Sequence, residues 1–159
     1  MDIQLTEEQE LLRSSIQRFL REQYDFDERR KIVAAAEGNN TQAVRMMLAA
    51  GWPVDVRAGG GTTALHFAAW HGNAEMIREI LKHHPPLEIA DTNYGSTPLG
   101  WALHGSKNSW ERHKGDYAAA LELLLQAGAK APELTEQLQA SEPALAVLSR
   151  HEKGKPGVV

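Results

Sequence analysis

The side chains best suited to chemistry or recognition in this sequence are tryptophans and histidines that lie between residues 66 and 116. Indole rings are among the groups that most often anchor protein interfaces. Imidazole and carboxylate groups are the usual acid–base catalysts and metal ligands. From these residue types and their spacing we predict a partner-binding set. It consists of Trp70, His71, Trp101, His104, Trp110, Glu111 and His113.

Catalytic and metal sites are not predicted, because the spacing of these groups does not match such sites. His66 and His71 are five residues apart, whereas a helical zinc motif places its two histidines four apart. In a catalytic arrangement Glu111 or Asp116 would orient His113, but no residue in the pattern is identifiable as the nucleophile. The chain has no cysteine, which excludes thiolate nucleophiles and cysteine zinc sites. We therefore predict that the protein is not an enzyme and takes no cofactor or metal.

The charge and hydropathy of the chain narrow the choice of partner. Its 159 residues carry 17 Lys and Arg against 21 Asp and Glu, a net charge of −4, with no basic stripe to match a phosphate backbone. No apolar run approaches the roughly 20 residues that span a bilayer, and Met1–Gln4 lacks the apolar stretch of a secretory signal. We predict a cytoplasmic domain, a monomer or weak homodimer, that binds neither nucleic acid nor membrane.

Internal repetition indicates the elements that position these side chains. Thr63–Ala69 aligns with Thr97–Leu103 at an offset of 34 residues, a length typical of helical repeats. Amphipathic segments follow these copies and a weaker, earlier one, at 41–50, 74–83 and 116–127. The pattern predicts three helix-turn-helix units. Each unit buries its apolar face only against a neighbour, so the three must fold together.

This repeat resembles the ankyrin repeat. The resemblance is carried by Gly61-x-Thr63-x-Leu65-His66-x-Ala68-Ala69-x-x-Gly72 in one copy and by Gly95-Ser96-Thr97-Pro98-Leu99 in the next. It covers residues 30–131 and implies an all-α fold, a short curved solenoid of three repeats at 30–58, 59–91 and 92–131. It also implies that the concave face, lined by the first helices and the hairpin tips, is the partner surface. His66 matches the structural histidine of the repeat, and we expect a hydrogen-bonded framework role for it.

The third repeat departs from the pattern in two ways. Gly100-Trp101 stands where the repeat usually has His-x, so the imidazole that ties adjacent repeat loops is missing. Residues 105–115 form an insertion between the two helices, and insertions in solenoids often lie on the binding face. Trp110 is either an interface anchor or the residue that packs this loop onto the repeat. The packing interpretation predicts that Trp110 orders the insertion.

Trp70 and Trp101 lie on the first helices of successive repeats, where Trp70 aligns with His104 and Trp101 aligns with Phe67. Two indoles one repeat apart form either an aromatic platform on the concave face or a packing contact between repeats. The sequence leaves both interpretations open.

The residues before the repeats are predicted to form an N-terminal helical cap, residues 1–29. Thr6-Glu7-Glu8-Gln9 is a capping box, and the helix that follows it has one apolar face. The apolar residues on that face are Leu12, Ile16, Phe19 and Leu20. The segment resembles the extreme N-terminus of acyl-CoA dehydrogenases, through Leu5–Arg13, Phe19–Leu20 and Tyr24–Ile32. In that family the flavin contacts and the catalytic carboxylate lie far downstream, at positions with no counterpart here, so the resemblance implies no dehydrogenase activity.

The residues after the repeats are predicted to form a C-terminal helical cap, residues 132–150. Ser141-Glu142-Pro143 is a typical helix start, because proline is tolerated in the first turn. Residues 151–159 are expected to be a flexible tail.

These inferences favour a non-catalytic module that binds a protein partner through the concave face and the insertion. The alternative is a small-molecule-binding or catalytic variant with a pocket under residues 104–116. A deep pocket whose histidines or carboxylates have shifted pKa values would favour the alternative. An open groove would favour the interaction module.

Overall fold

A computed structural model of the chain describes residues 6–23, 30–135 and 138–154. These residues form eight α-helices and two short 3₁₀ turns, and they contain no strand. The helices are α1 (Glu7–Gln23), α2 (Lys31–Glu37), α3 (Thr41–Ala49), α4 (Ala64–Trp70), α5 (Ala74–Leu81), α6 (Pro98–Asn108), α7 (Tyr117–Gln126) and α8 (Glu142–Gly154). The 3₁₀ turns are Gly59–Gly61 and Arg112–Lys114. No helix within the described ranges has both the length and the apolarity to cross a bilayer.

The second helix of each repeat begins with the same kind of cap. A side-chain oxygen at the N-cap position accepts a hydrogen bond from the backbone N–H three residues later, which satisfies a donor that the helix itself leaves unpaired. The three pairs are Asn40 with Ala43, Asn73 with Met76 and Asp116 with Ala119, at 2.9 to 3.0 Å. Asn40 and Asn73 are one repeat apart, and Asp116 follows the insertion, so the same kind of cap starts the second helix in all three repeats.

The repeats stack in two layers. The first helices α2, α4 and α6 pack side by side, and the second helices α3, α5 and α7 form a parallel layer behind them. Alanines on the first helices, such as Ala36, Ala68 and Ala102, are fully buried and allow close approach. Larger side chains on the second helices, such as Leu48 and Ile80, fill the space between layers. The predicted all-α helical-repeat fold is confirmed.

His66 ties the second repeat to the third. Its Nδ1 accepts from the Thr63 N–H at 3.1 Å, so its Nε2 carries the hydrogen that is donated to the Ser96 carbonyl at 3.2 Å. The ring is fully buried, and this burial lowers the pKa of His66. The predicted framework role of His66 is confirmed.

The helix α8 covers the open side of α7. Ala144, Val147 and Leu148 are buried in this contact. The Ser141 N–H donates to Ser106 Oγ at 2.9 Å, which joins the start of α8 to α6. The helix continues to Gly154, so it runs four residues beyond the predicted boundary at residue 150, into the predicted tail. The rest of that tail lies outside the described residues.

The helix α1 begins with the predicted capping box. The Thr6 N–H donates to Gln9 Oε1 at 2.9 Å, and the Gln9 N–H donates to Thr6 Oγ1 at 3.3 Å. Leu11 and Leu12 are 67% and 61% exposed. The side chains of Ile16, Phe19 and Leu20 and residues 24–29 lie outside the described part of the chain. The capping role of residues 1–29 therefore stays a prediction.

Candidate functional site

A cleft of about 570 Å³ lies between the first helices, the turn of residues 91–96 that leads into α6, and the insertion; we call residues 91–96 the hairpin of the third repeat. Its aromatic walls are Phe67, Trp70, Tyr94, Trp101, His104 and Trp110. Glu37, His71, Ser96 and Gly100 complete the lining. We refer to these ten residues as the aromatic cleft.

Trp70 is the central ring of the aromatic cleft. It is stacked on His104, with ring centroids 5.9 Å apart and planes 25° apart. It meets Trp101 and Trp110 edge-to-face, with centroids at 6.0 and 6.1 Å. These are favourable geometries for aromatic pairs. The two interpretations of Trp70 and Trp101 are therefore compatible, because the indoles pack between repeats and still line the cleft.

Trp101 is held from three sides. Its ring meets His66 and Phe67 edge-to-face, both with centroids 5.4 Å apart. Its indole N–H donates to Asp91 Oδ2 at 3.0 Å. The orientation of this indole is thus fixed before anything binds.

Asp91 organises the hairpin of the third repeat. Its carboxylate is only 2% exposed, and besides the Trp101 indole it accepts three backbone N–H bonds. The three donors are Asn93 at 2.9 Å, Tyr94 at 2.7 Å and Ser96 at 3.1 Å. Burial would raise the pKa of Asp91, but these four hydrogen bonds outweigh it, and the pKa is lowered. Together with His66, Asp91 holds the hairpin to the neighbouring helices in the repeat that lacks the usual histidine.

The two residues that directly follow the insertion attach it to the second repeat. The Tyr117 hydroxyl donates to the Trp70 carbonyl at 2.6 Å, and the Asp116 N–H donates to the Gly72 carbonyl at 2.9 Å. Burial raises the pKa of Tyr117. Ser109, inside the insertion, is fully buried.

The expected role of Trp110 in ordering the insertion stays a prediction, and the exposure of its side chain favours the interface-anchor interpretation. Its side chain is 74% exposed and makes an edge-to-face contact with Trp70. The insertion does not begin as a loop at residue 105, since α6 continues to Asn108. The added residues thus start as an extra helical turn and end in the 3₁₀ turn Arg112–Lys114.

His71 joins the second repeat to the first. Its Nε2 contacts the Glu37 carbonyl at 2.8 Å. A carbonyl only accepts, so Nε2 carries the hydrogen. The Nδ1 atom is buried and has no hydrogen-bond partner among the described residues. His71 is therefore a structural link as well as a residue of the aromatic cleft.

The structure brings together five of the seven predicted site residues, Trp70, His71, Trp101, His104 and Trp110, in the aromatic cleft. Glu111 lies next to His71 in a neighbouring polar depression.

The remaining two predicted residues lie outside the aromatic cleft. Glu111 forms a 2.7 Å ion pair with Lys114, and this hydrogen bond and charge lower the pKa of Glu111. His113 lies on the exposed 3₁₀ turn, outside both concavities.

Sequence reasoning missed Phe67, Tyr94, Glu37 and Asp91. One available signal was the three-residue spacing of Phe67 and Trp70, which places both on one helix face. Another was the turn pattern of Asp91 followed four residues later by Gly95. No such signal marks Glu37.

No three His, Asp or Glu side chains among the described residues are grouped so as to hold a metal ion. The carboxylate with the most hydrogen bonds, Asp91, is fully engaged with backbone N–H groups and an indole, as a structural carboxylate is.

Comparison with protein families gives one match, to the family model described as Ankyrin repeats (3 copies), over residues 31–134. The matched range is more than half of the chain and includes every residue of the aromatic cleft. No curated protein matches the chain. The resemblance of the first residues to acyl-CoA dehydrogenases falls almost entirely before the matched range and stays a prediction.

Proposed function

Because the chain belongs to the ankyrin repeat family, whose repeats are generally protein-interaction modules, we propose that it is a non-catalytic module that binds an extended segment of a partner protein in the aromatic cleft. The contacts would come from Trp70, Trp101, His104 and Trp110, with His71 beneath them. Glu111 and His113 would meet the partner at the edge of the cleft.

The observation that carries this proposal is the exposure of two aromatic side chains on one cleft. Tyr94 is 81% exposed and Trp110 is 74% exposed, and both line the aromatic cleft. Soluble proteins rarely leave large apolar groups clustered in water unless the cluster is an interaction site. Tryptophan and tyrosine are also the residues most enriched among interface hot spots.

The fixed orientation of the cleft supports the same proposal. Trp101 is held by Asp91 and His66, and Trp70 is held between Trp101 and His104. Rings that are already ordered lose little conformational entropy when a partner binds. A larger share of the contact energy is then available for affinity.

A small aromatic molecule is the second candidate occupant, because a volume of about 570 Å³ lies within the range of ligand pockets. Such pockets usually bury most of their ligand. Here the wall residues Tyr94 and Trp110 are themselves mostly in water. This exposure favours a partner segment over an enclosed small molecule.

The proposal is tested with peptides selected from a random phage-displayed library on the full chain. Calorimetry then compares the selected peptide on the native chain and on two variants, Trp110→Ala in the cleft and Met46→Ala outside it. Met46 is a matched control, since it is 63% exposed on α3 and does not line the cleft. We expect Trp110→Ala to weaken binding by about 2 kcal/mol, or roughly 30-fold, and Met46→Ala to leave it unchanged.

Two results would contradict the proposal. Equal binding to the native chain and to Trp110→Ala would place the partner on another surface. Failure of every selection, together with quenching of tryptophan fluorescence by small aromatic compounds, would favour the small-molecule candidate.

A further inference from the structure

The lining of the aromatic cleft contains an acidic side chain and no lysine or arginine. Glu37 is exposed and is the one carboxylate among the lining residues. No lysine or arginine of the described residues lies within ion-pair distance of the Glu37 carboxylate. A segment entering the cleft therefore meets a carboxylate that forms no ion pair with a lysine or arginine of the described residues.

The position of Glu37 is fixed by the fold. It is the last residue of α2, and its carbonyl accepts the hydrogen bond from His71 Nε2 at 2.8 Å. This bond joins the end of α2 to the end of α4, where Trp70 lies. The backbone of Glu37 is thus anchored at the cleft that the indoles line.

The rings supply the second part of a cation-binding site. A cation over the face of an indole is attracted by the ring quadrupole, and tryptophan gives the strongest such interaction. Trp110 meets Trp70 edge-to-face, with centroids 6.1 Å apart and planes inclined by 61°, and this contact places its ring at the wall of the cleft. Trp110 is 74% exposed, which leaves its ring available.

The choice between a charged and an apolar occupant follows from Glu37. An apolar side chain seated in the cleft would remove water from the carboxylate and give it no partner, which is costly. A guanidinium group pairs with the carboxylate and also stacks on aromatic faces, whereas an ammonium group is more strongly hydrated and does not stack. We infer that the aromatic cleft takes an arginine side chain of the partner segment, stacked on the exposed indole of Trp110 and paired with Glu37.

This inference rests on the proposed function and is tested on the full chain with the peptide selected for it. Versions of that peptide are compared in which each arginine is replaced in turn by citrulline, which keeps the shape and removes the charge, or by lysine. We expect citrulline at one position to weaken binding about tenfold, with lysine intermediate.

The contribution of Glu37 is isolated with Glu37→Gln and a matched control, Glu152→Gln, on the exposed surface of α8. Glu37→Gln should weaken binding of the arginine peptide severalfold and leave the citrulline peptide unaffected, since the two changes remove the same interaction. Glu152→Gln should change neither. Added salt should weaken binding of the arginine peptide more than that of the citrulline peptide.

The outcomes separate the inference from the proposed function. Selected peptides that lack arginine, or that bind equally well with citrulline, overturn the arginine inference, while a loss of affinity on Trp110→Ala keeps the proposed function. If neither Trp110→Ala nor Glu37→Gln affects any selected peptide, both are overturned.

Discussion

The Tyr117 hydroxyl lies 2.6 Å from the carbonyl oxygen of Trp70 and donates a hydrogen bond to it. The bond links the first residue of α7 to the last residue of α4, across the whole insertion. Because Trp70 is the central ring of the aromatic cleft, the same bond connects the second helix of the third repeat to the candidate site.

Tyr117→Phe tests this link. The variant keeps the ring and removes the hydroxyl, so the carbonyl of Trp70 loses its side-chain donor. We expect the free energy of unfolding to fall by about 1 kcal/mol, measured by urea denaturation, and amide exchange to accelerate across residues 104–115. Unchanged exchange in these residues would show that the bond does not hold the insertion.

Trp110→Ala separates binding from packing. The side chain is mostly exposed, so we expect the free energy of unfolding to change by no more than about 0.5 kcal/mol. Amide protection in residues 104–115 should stay as in the native chain. A marked loss of protection would instead favour the interpretation that Trp110 orders the insertion.

Gly115→Ala tests how closely the insertion approaches the second repeat. A Cβ at Gly115 would overlap the carbonyl oxygen of His71 and lie 2.8 Å from the ring of Tyr117, so backbone must move. We expect a loss of about 1–3 kcal/mol in the free energy of unfolding. Gly59→Ala is the control, since a Cβ there meets nothing within 4 Å. Equal stability of the two variants would contradict the close approach.

Asp91→Asn tests the carboxylate beneath the hairpin. The hydrogen bonds to Asp91 lower its pKa in the folded state, so its ionised form stabilises the fold above the unfolded-state pKa of about 3.9. That contribution is lost as the pH falls from about 4 through the lowered pKa. At pH 7 the free energy of unfolding of the variant should be about 2 kcal/mol lower than that of the native chain. On acidification the free energy of unfolding of the variant should fall by less than that of the native chain.

The measurement for Asp91→Asn is urea denaturation at pH 7 and pH 3. Asp55→Asn is the control, because Asp55 is an exposed carboxylate in the first repeat. If Asp91→Asn lost as much stability between the two pH values as the native chain, the acid sensitivity would originate elsewhere.

Local patterns were sufficient to predict the helices and their stacking. The recurring caps Asn40, Asn73 and Asp116 and the repeated Thr-x-Leu segments are set by residues within a few positions of one another. The same periodicity placed Trp70 and Trp101 on adjacent helices, where the structure has them in contact.

The contacts that shape the aromatic cleft depend on tertiary approach and were not predictable in this way. Tyr117 and Trp70 are 47 residues apart, and no repeat position pairs them. The hydrogen bond from Trp101 to Asp91 holds the repeat that lacks the usual histidine. The repeat pattern showed that this histidine is missing, but it did not show which residues take over its role. The helix α6 continues to Asn108 and Trp110 beyond it is 74% exposed, and the sequence of the insertion specifies neither feature.

The central claim is that a partner segment binds in the aromatic cleft, and the most direct test uses the four indole N–H signals in the ¹⁵N NMR spectrum of the native chain. Trp70, Trp101 and Trp110 line the cleft, whereas Trp52 packs against the core elsewhere and serves as an internal control. Titration with the selected peptide should shift the three cleft signals with one shared dissociation constant and leave Trp52 in place. Saturating peptide that leaves the three cleft signals unmoved, or shifts only Trp52, would contradict the account.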